Sequence, residues 1–295
     1  MKERIVPTHD GGRLALYSYG NPSAPGERRI LVVGGAFITA LIYRPFALAL
    51  SKRLGPEWAV DVYDRRGRGS STGQPADYSM DTEIADVALM LRTTGARNLF
   101  GHSLGGAVVL NAVQAFQGHD SADARFAEPA LVPDRLAVYD PAINIDGSVD
   151  SGWIEGFREA VKAGRPGRAL ARMQRGMATS PTLSRVPEPI LAALLAGTAR
   201  TPLGRMAREL LPTGVGELTA ALEEAEHAAR FARLPSGTRF MAGAKSPAYF
   251  RATAQKLHRT VGGSGYEESP KGIHASVPAA VGELIDDIAG YFEES

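Results

Sequence analysis

The residues Gly101-His102-Ser103-Leu104-Gly105 carry the strongest chemical signal in this chain of 295 residues. A serine hydroxyl is a weak nucleophile until a base takes its proton, and it must stand clear of the fold to meet a substrate. Both demands can be met where a strand ends and a helix starts at once. Asn98-Leu99-Phe100 reads as such a strand, and Gly106-Ala107-Val108-Val109-Leu110 as the opening of the helix. Flanking glycines remove Cβ atoms that would collide with neighbouring elements in so tight a bend. The helix N-terminus behind Ser103 holds unpaired N–H groups where negative charge develops on an attacked carbonyl, so the Leu104 amide is a candidate oxyanion donor. The competing reading is an ordinary Gly-rich turn with a serine that caps a helix.

The elements that must position this turn follow from patterning. Between Arg29 and about Pro141, short apolar runs alternate with helical stretches: Ile30 to Val33, Tyr43 to Leu54, Trp58 to Tyr63, Thr82 to Thr94, Asn98 to Phe100, Ala107 to Phe116 and Leu136 to Tyr139. Alternation of this kind predicts βαβ units, and unbroken apolar strands such as Ile30-Leu31-Val32-Val33 predict a parallel sheet covered on both faces. Arg13 to Tyr19 suits an antiparallel edge strand. From residue 146 to residue 233 the chain becomes rich in Ala, Leu, Arg and Met at helical spacing, broken by Pro166, Pro181, Pro187, Pro189, Pro202 and Pro212. The strand pattern returns at Thr238 to Ala242, followed by helices from about Pro247 to Leu257 and from about Val277 to Phe292. One α/β core, residues 1–145 and 234–295, is therefore expected to carry a helical lid insertion at 146–233.

Composition narrows the chemistry. With no cysteine, disulfides, thiolate catalysis and Cys-based zinc sites are excluded. Lys and Arg number 33 against 32 Asp and Glu, so a net charge of +1 gives no field for drawing in nucleic acid or an acidic membrane face. The first seven residues lack a signal peptide's apolar core, and no stretch reaches the roughly 18 apolar residues of a membrane span. A cytoplasmic protein that acts on a small molecule is expected; the sequence leaves its oligomeric state open.

Taken together these residues resemble the α/β-hydrolase family, and the resemblance spans nearly the whole chain. Leu31-Val32-Val33-Gly34-Gly35-Ala36-Phe37 stands where the family has a strand followed by His-Gly and an oxyanion loop, with Gly34 in place of the usual histidine. The resemblance implies that Ala36 supplies a second oxyanion amide, with Phe37 as the adjacent alternative. Asp64-Arg65-Arg66-Gly67-Arg68-Gly69-Ser70-Ser71 is similar to the family's structural D-x-R-G-x-G-x-S turn, whose arginines are expected to brace loops around the site; it lacks the Gly-Lys-Ser/Thr ending of a phosphate-binding loop. The family places its catalytic histidine after the last core strand and ahead of the final helix. Of six histidines only His274 stands there. His9, His119, His227 and His258 read as solvated or packing residues, and His102 is expected to point away from the nucleophile.

The third member departs from the commonest family pattern. Most relatives carry an acid in the loop after the post-lid strand, but Gly243-Ala244-Lys245-Ser246-Pro247-Ala248-Tyr249 holds no carboxylate. Leu136-Ala137-Val138-Tyr139-Asp140-Pro141 resembles the Tyr-Glu-Pro-Pro element of a bacterial subgroup that shares the Gly-Gly-Ala-Phe and Ser-Pro signatures, and implies Asp140; Asp146 is the alternative. Hydrolysis through an acyl-enzyme, with Ser103, Asp140 and His274 and without metal or cofactor, is what the resemblance implies. Trp153, Phe157, Met173, Met177, Leu191, Leu194 and Met206 form a candidate apolar face of the insertion, for which plain core packing is the competing reading, and Phe37, Trp153, Phe157 and Met177 are expected at the substrate. Perhydrolysis, C–C bond hydrolysis and lactonase chemistry use the same parts; an epoxide hydrolase or dehalogenase needs an aspartate where Ser103 stands. A non-catalytic small-molecule receptor is the alternative from another class.

Overall fold

In the computed structural model, which describes residues 2–118, 124–178, 181–198 and 201–294, the chain opens on a hairpin and then alternates strand with helix. The hairpin is β1 (Lys2–Pro7) and β2 (Arg13–Gly20). There follow β3 (Arg29–Val33), α1 (Arg44–Leu54), β4 (Ala59–Asp64), α2 (Met80–Thr94), β5 (Asn98–His102), α3 (Leu104–Phe116) and β6 (Arg135–Tyr139). The helices α4 (Trp153–Lys162), α5 (Pro166–Met177), α6 (Pro181–Ser184), α7 (Glu188–Thr198), α8 (Pro202–Glu209) and α9 (Leu211–Leu218) intervene before β7 (Arg239–Gly243), α10 (Ala248–Thr260), β8 (Gly265–Ser269) and α11 (Gly282–Glu293).

The strands form one sheet in the order β1-β2-β4-β3-β5-β6-β7-β8. The β1–β2 and β2–β4 pairings are antiparallel and all later ones parallel, which is the expected mostly parallel, doubly wound α/β architecture. Every residue of β3, β4 and β5 is buried, because both faces of the sheet are covered. On one face Ile30, Val32, Val60, Val62 and Phe100 meet Phe46 and Leu50 of α1 and Leu284, Ile285 and Ile288 of α11. On the other, Leu31, Val33, Leu99, Val138 and Phe240 meet Ile84, Val87 and Leu91 of α2, most of α3, and Phe250 and Leu257 of α10. Each such side chain contributes about 1.5–3 kcal/mol by leaving water. Among the described residues no helix is long and apolar enough to cross a membrane.

Three details differ from expectation. The predicted edge strand is β2, and the edge is β1, an exposed, charged strand that pairing with β2 holds in place. Strand β8, Gly-Tyr-Glu-Glu-Ser, was not foreseen; it is a half-exposed edge strand that lies parallel to β7 and has no apolar run of its own. The final helix starts at Gly282 and not at Val277, because His274–Ser276 form a separate 3₁₀ turn and Val277 is buried under α11.

Candidate active site

The bend after β5 forces a non-glycine residue into the left-handed half of backbone space: Ser103 has φ +56° and ψ −124°. Such a conformation costs on the order of 1–3 kcal/mol and persists only where the surroundings dictate it. Here they do. The Ser103 N–H donates to the Tyr139 carbonyl at 3.0 Å, and the Ala142 N–H donates to the Ser103 carbonyl at 2.9 Å, which pins the bend to the end of β6. A Cβ on Gly101 would stand 2.5 Å from Val109 Cγ2, and one on Gly105 2.0 Å from the Val33 carbonyl oxygen, so the flanking glycines are required. The Ser103 hydroxyl has no hydrogen-bond partner among the described residues.

Asp140, the residue after β6, is wholly buried and also has a positive φ of +47°. Its Oδ1 accepts from the Gly243 N–H at 3.0 Å, and its Oδ2 accepts from Ser246 Oγ at 2.5 Å. The same Oδ2 lies 3.1 Å from His274 Nδ1. The His274 ring stacks on Phe250, with centroids 4.3 Å apart and planes within 8°. Carboxylate and stacking partner thus fix the imidazole in place and plane, and its Nε2 has no hydrogen-bond partner among the described residues. No hydrogen bond joins Ser103 to His274 directly among the described residues; His102 links them, being covalently next to Ser103 and 3.0 Å from the His274 carbonyl through Nε2. Asp146 is not brought to this group. It is held by Lys256 Nζ at 2.7 Å and His227 Nδ1 at 3.2 Å. His258 bonds Ser264, and His119 lies outside the described residues.

The turn after β3 lies directly against Ser103: a Cβ on Gly35 would be 3.0 Å from Ser103 Cβ and 3.4 Å from its Oγ. Arg65, fully buried, donates through Nη1 to the carbonyls of Gly34 at 3.1 Å and Gly35 at 3.3 Å. The Gly35 carbonyl and the Ala36 N–H belong to one peptide group, so this guanidinium polarises the amide expected to face an oxyanion. Neither Ala36 N–H nor Leu104 N–H has an acceptor among the described residues. Arg65 is held in turn by Glu83 at 2.7 Å and by Glu217 of α9 at 3.1 Å, and Arg68 also pairs with Glu217. Burial opposes ionisation of Glu83, but the adjacent Arg65 outweighs it and keeps the carboxyl below its usual range. For Glu217 burial prevails and its carboxyl is pushed up.

Phe37, at φ +59°, connects this turn to the insertion. Its ring meets Phe157 edge-on with centroids 6.1 Å apart, and Phe157 meets Trp153 in the same manner at 6.2 Å. Gly214 of α9 has no room for a Cβ, which would fall 2.1 Å from the Phe37 ring. The Tyr249 hydroxyl donates to Met177 Sδ at 3.7 Å, joining α10 to the insertion. Phe157 and Leu191 are fully buried, and Met177 nearly so. Leu194 departs from the expected inner face and is 58% exposed.

Sequence reasoning did not foresee Tyr43, Ser246 or Glu217 as parts of this assembly. The one available signal was Ser246, in the loop searched for an acid.

No curated protein matches the chain in sequence. Among solved structures it is similar over 98% of its length to all of an alpha/beta hydrolase from Sphaerobacter thermophilus, with 27% identity and a TM-score of 0.72. An enol-lactonase from Burkholderia xenovorans (20% identity, 99% of this chain and 100% of that one, TM-score 0.66) and a bromoperoxidase from Bacillus anthracis (16%, 99% and 100%, 0.71) share its fold. The profile of the alpha/beta hydrolase family matches residues 30–283, and with the sheet order and the bend at Ser103 already described, the chain belongs to that family.

Proposed function

We propose that the chain is a serine hydrolase that cleaves a carboxylic ester, or a related acyl bond, of a small to medium apolar substrate through an acyl-enzyme. In this reading His274 Nε2 takes the Ser103 proton as Oγ attacks the substrate carbonyl. The Ala36 and Leu104 amides receive the oxyanion, the protonated imidazole returns its proton to the leaving alcohol, and water then releases the acyl group with His274 as base again. Asp140 orients the imidazole and stabilises the imidazolium. Residues 146–233 act as a lid over the acyl site, with Phe37, Trp153, Phe157 and Met177 on its side of the substrate. The observation that supports this best is the 3.1 Å contact between the wholly buried Asp140 and His274 Nδ1, beside a serine held at positive φ at the head of a helix. A lactone is a cyclic ester opened by the same attack, so the name of the enol-lactonase neighbour agrees with this class of substrate.

A fluorophosphonate probe tests the reading. Ser103 should be labelled rapidly, and labelling should vanish in Ser103→Ala and collapse in His274→Ala. Absence of labelling alongside tight binding of a small molecule would favour a receptor instead. Among p-nitrophenyl esters, short acyl chains should be preferred; peak activity on long-chain emulsions would overturn the assigned substrate size.

A further inference from the structure

One buried hydrogen-bonded chain takes no part in the steps above. The Gly35 N–H donates to the Tyr43 hydroxyl at 2.7 Å, so that hydroxyl must send its own proton elsewhere, and its other neighbour is His102 Nδ1 at 2.6 Å. Nδ1 is then an acceptor, which puts the His102 proton on Nε2, and Nε2–H donates to the His274 carbonyl at 3.0 Å. Tyr43 and His102 are both buried. Burial, and then the nearby His274, hold His102 well below the ordinary histidine range, so the ring is neutral, as this donor order requires. The Tyr43 ring is fixed as well: it fills the space beside Gly34, where a Cβ would lie 2.6 Å from it.

Resting on the serine-hydrolase reading, we propose that Tyr43 and His102 are positioning residues that tie the oxyanion loop to the loop delivering His274. His102 is bonded covalently to the nucleophile, so one neutral imidazole sets three parts relative to each other: the Ser103 hydroxyl, the Gly35–Ala36 turn and the His274 backbone. Binding a ground-state ester does not need that register. Forming the tetrahedral intermediate does, because hydroxyl, base and oxyanion amide must then converge on one carbon.

Tyr43→Phe keeps the ring and deletes the hydroxyl. It should lower kcat about 10- to 100-fold with KM within about twofold, the signature of an interaction made in the transition state. His102→Gln keeps a donor near the Nε2 position and breaks only the Tyr43 arm, so combining it with Tyr43→Phe should cost no more than the worse single change. His102→Asn keeps an acceptor near Nδ1 and should retain the Tyr43 arm. Nitrogen NMR of the resting wild type should find His102 protonated on Nε2. A wild type that neither hydrolyses esters nor takes the fluorophosphonate would sink the hydrolase reading. An active wild type matched by Tyr43→Phe, a loss in that variant spread equally over kcat and KM, or a His102 protonated on Nδ1 would sink this inference alone.

Discussion

Two buried polar networks, one around Asp140 and one around Arg65, hold their charges in opposite ways. Asp140 is satisfied by donors without formal charge, the Gly243 N–H and the Ser246 hydroxyl, with only His274 left to become a cation. On the other side Arg65 and Arg68 are closed in by Glu83 and Glu217. In the proposed mechanism the difference follows from what each must do. A carboxylate that steadies a developing imidazolium keeps its field only if no permanent cation neutralises it first. A bracing network needs the reverse, guanidinium groups set against carboxylates to hold the turn, although Glu217 Oε2 and Arg68 Nε are left without a partner among the described residues. Arg65 reaches the turn through the Gly34 and Gly35 carbonyls, and in the proposed mechanism the second contact strengthens the Ala36 amide without exposing a charge.

The largest effect that this contrast predicts is on turnover. Asp140→Asn should lower kcat by about 10³- to 10⁴-fold with the fold intact, as expected when an imidazole loses the carboxylate that sets its tautomer. Asp146→Asn, whose partners are Lys256 and His227 near the surface, should stay within about twofold. Ester kinetics alongside circular dichroism would decide, and a reversal of the two effects would transfer the acid to Asp146.

On the bracing side the expected loss is in stability. Glu217→Gln strips two buried guanidinium groups of a shared partner and should cost about 3–5 kcal/mol in urea unfolding. Glu83→Gln adds a test of sign. The folded-state carboxyl of Glu83 is held below its ordinary value, so its contribution is fully present above about pH 4.3 and is lost as pH falls further. The stability gap between wild type and Glu83→Gln should therefore narrow in acid; a gap that widens there would show that Arg65 does not hold Glu83 ionised.

The same contrast explains what the sequence disclosed. Ser103 was legible because strand, glycines and helix are consecutive residues, and their order alone specifies the bend. Asp140 became legible by a departure, the missing carboxylate between Gly243 and Tyr249; in the fold, Gly243 and Ser246 of that loop both donate to the Asp140 carboxylate. Strands β1 and β8 were hidden because charged and polar edge strands owe their conformation to a neighbour's ladder and not to an apolar pattern. Partners such as Tyr43 with His102, 59 residues apart, or Arg65 with Glu217, 152 apart, were out of reach, since residue type does not choose among so many candidates.

A smaller effect probes the neutral donors themselves. Ser246→Ala removes one hydrogen bond from a buried carboxylate and leaves the Gly243 N–H and His274 in place. It should cost about 1–3 kcal/mol of stability and a loss of kcat well short of that in Asp140→Asn. A loss as deep as the Asp140 variant's would mean that the serine, and not the imidazole, is the partner the carboxylate serves.

The least effect is expected on the insertion, at Leu194. Helix α7, Glu-Pro-Ile-Leu-Ala-Ala-Leu-Leu-Ala-Gly-Thr, is apolar on every side, so periodicity singles out no inner face. In the fold Leu191 is fully buried while Ile190 and Leu194 are more than half exposed, which leaves Leu191 as the side chain that packs inward. Leu194→Ser should therefore change stability by less than about 0.5 kcal/mol. Ester KM values should not move, because a side chain on the outer surface has no contact with the acyl group to lose. A several-fold rise in KM confined to longer acyl chains would instead bring Leu194 to the substrate and require α7 to turn its outer face inward when the site is occupied.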